Sequence, residues 1–288
     1  VGIDPLLYLA LGIGFAAGRI YPRRSPWVGR ATVASIVVLV ALLGDSLAEV
    51  PTASLLSEIP LAVGFAGVLL GLTMAIVMVL PHDAPAQPPS PGPVRRRVPL
   101  ELVLIVALGV GYGLLSRLGG SPDIAIPWVL YLMLALVAFD LRLDVAAVRR
   151  AWVPITAAVT AALVAAVLVT AIGFTTLPVG LAIAGAFGWY TLAGPLVGAA
   201  VGPSLGLVAF LTNYLRELGT MVVAEPAGRY VGGEGIAALG GATSMDTTLY
   251  FAIRAGGPPS AGTALATGLV LTLGAGLVLP LLLASAGG

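Results

Sequence analysis

Hydrophobic residues gather into ten runs along the chain, at 5–20, 31–49, 59–80, 100–116, 124–141, 151–174, 178–200, 204–224, 235–253 and 260–284. Most approach or exceed the ~20 residues with which a helix crosses a bilayer. The pattern predicts an all-α polytopic membrane protein with eight to ten crossings, roughly one per ~20 residues plus short loops. One stretch breaks the rhythm: "PHDAPAQPPSPGPVRRRVP", from Pro81. Its prolines and charges predict a solvent-exposed linker over 81–99, and His82, the only histidine, lies in it.

Two similarities divide the chain further. "ALGIGFAAGR" from Ala10 matches "ALGVGYGLLSR" from Ala107, and "DSLAEV" from Asp45 matches "DLRLDV" from Asp140. The first three runs, in 1–80, thus resemble the next three, in 100–177. Three crossings is an odd number, so the two units have opposite topology, as in the inverted repeats of secondary transporters. In 178–288, "GAFGWYT" from Gly185 pairs with "GATSMDT" from Gly241, and "GPSLG" from Gly202 with "PPSAG" from Pro258, both at an offset of 56. Each unit is a Gly-rich, polar-interrupted segment followed by a longer apolar helix. Gly185, Gly188 and Gly194, or Gly240 and Gly241, make poor continuous helix. Irregular backbone survives at membrane depth only where protein or a water-filled cavity satisfies it. The expected architecture is therefore about eight transmembrane helices plus two opposed re-entrant hairpins that form a transport core, with ten full spans as the alternative.

Composition sharpens the class. Hydrophobic residues make up 59% of the chain and charged residues 9%, against roughly 25% charged in soluble domains. The net charge of +1 gives no reason to expect a nucleic-acid partner. With no cysteine, disulfides, thiolate metal sites and Cys nucleophiles are excluded. Nothing in the sequence calls for a cofactor or a metal. Asp4 opens the first run and its basic residues follow it, the reverse of a cleavable signal. All 14 basic residues are arginine. Arg19, Arg23, Arg24 and Arg30 flank the first loop, Arg95, Arg96 and Arg97 end the linker, and Arg142, Arg149 and Arg150 flank the loop after the fifth run. Alternating crossings place all three on one side, which positive charge marks as cytoplasmic. Both termini are then expected outside a cell membrane.

Charge inside the runs is the candidate chemistry. "VAFLTNYLRELGTMVV", from Val208, carries Asn213, Arg216 and Glu217 among apolar residues. An ionised residue at the centre of a membrane helix costs about 2.5–3.5 kcal/mol on insertion scales and is functional by default. Adjacent residues point ~100° apart, so Arg216 and Glu217 are poorly placed to pair with each other. Asp246, in the other polar island "GGATSMDTT", is the natural partner. Asp45, late in the second run, is a further candidate acid, with Asp140 and Asp144 placed equivalently near the other face.

"GAFGWYTLAG", "FLTNYLREL" and "GGATSMDTT", in that order and spacing, resemble the LysO-type lysine exporter family. Its members carry a Gly-Trp-Tyr-Ser segment, an Asn-Asp-x-x-Arg-Glu helix and a Gly-Ala-Thr-Ser-Met-Asp segment. The likeness is specific over about 180–255; the N-terminal half agrees mainly in hydropathy and in "GDSL" and "FDLRL". It implies export of L-lysine and its analogue thialysine from the cytoplasm, in exchange for protons. Gly188, Trp189 and Tyr190 match the aromatic segment, with Thr191 where Ser is usual. Arg216 and Glu217 match the Arg-Glu pair, and Thr243, Ser244 and Asp246 match the last segment. Asn213 stands where the family has an acid, which removes one protonatable group.

The resemblance implies roles. Asp246 and Glu217 can hold the ammonium groups of lysine, Arg216 its carboxylate, and Trp189 or Tyr190 can face a cation. Carboxylates removed from water take up protons more readily, so Glu217, Asp246 and Asp45 are the candidate proton carriers. A carrier for an anionic dicarboxylate, coupled to Na⁺ or H⁺ and anchored on Arg216, is the alternative within transport. An intramembrane aspartyl protease is the alternative of another class, but Gly-x-Gly-Asp and Tyr-Asp signatures are missing.

Overall fold

The computed structural model of the chain describes residues 5–21, 26–46, 52–80, 111, 125–140, 145–245, 247–257 and 259–286. Every regular element among them is helical: α1 (Pro5–Ile20), α2 (Pro26–Ser46), α3 (Thr52–Val79), α4 (Ala125–Asp140), α5 (Val145–Arg150), α6 (Trp152–Ala171), α7 (Leu177–Ala184), α8 (Tyr190–Val201), α9 (Pro203–Gly240), a 3₁₀ turn (Gly241–Met245), α10 (Leu249–Gly256) and α11 (Ser260–Ala286). The linker at 81–99, and the run 100–116 apart from Gly111, lie outside the described residues.

Three of these helices are long and apolar enough to cross a membrane: Leu56–Val79 within α3, then α6 and α11, with 24, 20 and 27 residues. At 1.5 Å per residue they measure about 36, 30 and 40 Å, against ~30 Å of hydrocarbon. Helix α6 shows what each face is for. Ala157, Ala158, Ala161, Ala162, Ala165 and Ala166 are buried, whereas Leu163, Val164, Val167 and Leu168 are exposed. Small side chains let α3 and α7 approach closely, while branched apolar chains point outwards. A helix facing water would put polar residues on that outer face; here lipid is the matching solvent. Helices α1 and α4 also meet backbone to backbone. A methyl group on Gly14 would run into the Ala135 carbonyl, and one on Gly18 into that of Phe139.

The longest element is broken. Gly232 has φ 58° and ψ −164°, which divides α9 into a segment over 203–231 and a short one over 233–240. The second half of the chain then reads as two interrupted pairs, each followed by a long helix. In the first pair, α7 and α8 flank residues 185–189, where Phe187 and Gly188 have φ of 53° and 97°. In the second, 233–240 and α10 flank the 3₁₀ turn. Gly185 and Gly241, 56 residues apart, are the C-caps of α7 and α9. A methyl group on Gly256 would lie 2.6 Å from the Gly233 nitrogen. The end of α10 therefore lies against the start of 233–240, and these two arms run antiparallel. In the first pair, α7 packs on α6 and α11, whereas α8 packs on α9. The main core fills the space between these elements, with Leu69, Leu134, Ile183, Leu192, Leu271 and Leu279 at its centre.

A site where two interrupted helices meet

The two interruptions touch. The backbone N–H of Ala242 donates to the carbonyl oxygen of Phe187 at 2.8 Å. A left-handed φ is rare for a bulky residue and costs of the order of 1–3 kcal/mol. At Phe187 the conformation accompanies a carbonyl turned towards the second interruption. Gly188 and Gly241 have no such cost. Both have positive φ, and a methyl on Gly241 would run into the Phe187 carbonyl, so only glycine fits this crossing.

One helix holds both interruptions. Asn213 of α9 accepts the Gly188 N–H on Oδ1 at 2.8 Å. Its Nδ2 donates to Ile183 O and to Ala209 O, both at 2.9 Å. Ile183 lies in the last turn of α7, whose carbonyls lack helical partners. One turn further along α9, Arg216 reaches the other interruption. Its Nε donates to Leu239 O at 3.2 Å and its Nη2 to Ala238 O at 3.1 Å. These carbonyls end the 233–240 segment, and a guanidinium there satisfies orphan acceptors and complements the negative end of the helix dipole. Nη1 has no hydrogen-bond partner among the described residues. Asn213, Arg216 and Glu217 are all buried, at 0%, 0% and 1% exposure.

The sequence predicted that Arg216 would turn to an acid across the site. Among the described residues, its Nε and Nη2 serve backbone carbonyls that the interruption itself creates. Asp246 lies outside the described residues, as does the side chain of Asp45, which sits in the last turn of α2. Trp189 is the half-buried N-cap of α8, and Tyr190 begins that helix. Tyr190 packs edge-to-face on Phe210 and Tyr214, with ring centroids 5.3 and 5.5 Å away. Phe210 and Tyr214 escaped the sequence reading, because aromatic residues four apart on an apolar helix resemble ordinary core. Thr243 Oγ1 donates to Gly240 O at 3.0 Å. Ser244 Oγ lies 2.7 Å from Gly241 O and 2.8 Å from Ala264 O, which ties the second interruption to α11.

Interrupted helices that meet beside buried charge are a construction of membrane transporters. The chain belongs to the family described as Lysine exporter LysO, which matches residues 103–283. It is similar to Lysine exporter LysO of Escherichia coli (strain K12), with 31% identity over 193 residues, 64% of this chain. The chain spans 62% of the length of that relative. No solved structure matches it.

Proposed function

We propose that the protein exports L-lysine, or a close analogue such as thialysine, across the cytoplasmic membrane in exchange for protons. The family supports the substrate. The observation that carries the mechanism is Arg216, fully buried and anchored by two of its nitrogens to the end of one interrupted helix. Its Nη1, without a partner among the described residues, is the donor this reading assigns to a substrate carboxylate. Backbone groups of 185–189 and 241–245 lie beside it for the α-amino end of an amino acid. Glu217 and Asp246 take the ammonium groups, with Trp189 and Tyr190 offering ring faces. Departure of lysine from Glu217 and Asp246 is coupled in this proposal to proton uptake by the same carboxylates, which carries the return step.

The interrupted pairs are re-entrant hairpins in this proposal. Arms of 8 residues, as in α7 and α10, reach about 12 Å and cannot span a bilayer alone. Eight spans, two opposed hairpins and both termini outside complete the topology, with 1–80 and 100–177 as inverted three-helix units.

Labelled L-lysine uptake into proteoliposomes tests the function. Uptake should be saturable and should accelerate when the lumen is made acidic relative to the bath. Uptake of succinate with indifference to lysine would replace this reading with the dicarboxylate carrier.

A further inference from the structure

We propose that Asn213 is a positioning residue, a non-titrating strut that holds the first interruption in shape, and that a carboxylate at this position makes the protein pH-dependent. A primary amide has two N–H donors and one oxygen. In Asn213 both N–H groups are used, on Ile183 O and Ala209 O at 2.9 Å, and the oxygen receives the Gly188 N–H at 2.8 Å. Ile183 precedes the interruption of α7 and α8, and Gly188 closes it. The amide therefore bridges the gap where the backbone ladder is absent. No N–H of Asn213 remains for a substrate.

A carboxylate can copy only part of this. Ionised, it still accepts from Gly188 but has nothing to donate, so its oxygens face two carbonyl oxygens in a fully buried place. Protonated, it regains one donor, enough to hold Ile183. Among the described residues, the groups with charge or titratable protons near position 213 are few, and α3, which packs along α9, carries only Glu58. On α9 they are Tyr214, Arg216 and Glu217, and from α8 Tyr190; α7 carries none. Arg216 is already engaged with Leu239 and Ala238.

The transport readout of this proposal rests on the lysine-export reading, whereas a stability readout does not. Full-length wild type, Asn213→Asp and Asn213→Ala are compared from about pH 5 to about pH 8, a range that starts above the ordinary Asp value of ~3.9 and covers a carboxyl held protonated by burial. Thermal midpoints are measured in detergent, and labelled L-lysine uptake in proteoliposomes buffered to the same pH on both sides. The midpoint of Asn213→Asp, relative to wild type, should fall progressively as pH rises. Its uptake relative to wild type should fall roughly tenfold or more over the same range, the effect of losing one or two buried hydrogen bonds. Asn213→Ala should show losses that do not vary with pH. A substrate ligand at this position would instead raise KM and leave the midpoint differences flat with pH. The proposal is overturned if Asn213→Asp and wild type keep parallel midpoints across the range. If wild type carries no lysine, the export reading falls and the midpoint series still decides the role of Asn213.

Discussion

Asn213 and Arg216 stand three residues apart on α9, yet they bind the backbones of two different interrupted helices. Asn213 holds Ile183 and Gly188 of the first, and Arg216 holds Ala238 and Leu239 of the second. The hydrogen bond from Ala242 to Phe187 closes the loop between them. The buried polar groups of α9 thus shape the site, and in the proposed mechanism Arg216 also meets the substrate.

This double duty changes what Arg216→Lys should do. An ammonium can reach one of the two carbonyls but cannot keep the planar fork that serves both and still presents Nη1. Lysine binding should weaken roughly ten- to hundred-fold, the effect of ~1.5–3 kcal/mol for a charge-assisted contact. Cadaverine, which is lysine without its carboxylate, separates the two roles. If Nη1 meets the carboxylate, cadaverine competes poorly against wild type and its binding changes little in Arg216→Lys. Equal losses for both ligands in competition binding would leave Arg216 as a helix cap only.

Glu217→Gln and Asp246→Asn should each abolish lysine export while the protein still inserts and folds, because shape is kept and charge is lost. Uptake in proteoliposomes, with monodispersity on gel filtration as the folding control, checks this. Wild-type rates in both variants would remove the two acids from the site.

Gly241→Ala should disable transport more than it harms assembly. A methyl there meets the Phe187 carbonyl, and φ of 63° with ψ of −122° is strained for any side chain, by roughly 1–3 kcal/mol. The second interruption must then shift away from the first. Normal uptake by a well-folded Gly241→Ala protein would show that the contact between interruptions is dispensable.

The hairpin proposal is tested with single cysteines, which are read without background because the chain has none. Cysteines replacing Thr176 and Ser204, on either side of the first interrupted pair, should react with impermeant reagents from the same face of the membrane. Reaction from opposite faces would make that pair a full span.

Much of this arrangement is legible in the sequence. Gly185, Gly188, Gly240 and Gly241 mark where continuous helix fails, and Asn213, Arg216 and Glu217 stand out because polar side chains are costly in an apolar run. The run at 235–253 contains an interruption that its hydropathy hides. Less legible is where Arg216 points. The carbonyls of Ala238 and Leu239 become acceptors only once 233–240 ends as a helix and folds back beside the 203–231 segment of α9, more than twenty residues from Arg216 in sequence. The contacts of Thr243 and Ser244 are hidden for the same reason: nothing in their spacing reveals that their hydroxyl groups reach the carbonyls of Gly240, Gly241 and Ala264.

The three-residue interval on α9 also acts as a phase setting. Positions 213 and 216 lie about 60° apart around the helix and ~4.5 Å apart along it, so a single rotation or slide moves both grips together. One residue inserted before 213 would carry the pair round as a unit. One inserted between them would turn the second grip by ~100° and release it while the first held. The two interruptions are geared to a common shaft, and the teeth that mesh with them must keep their count.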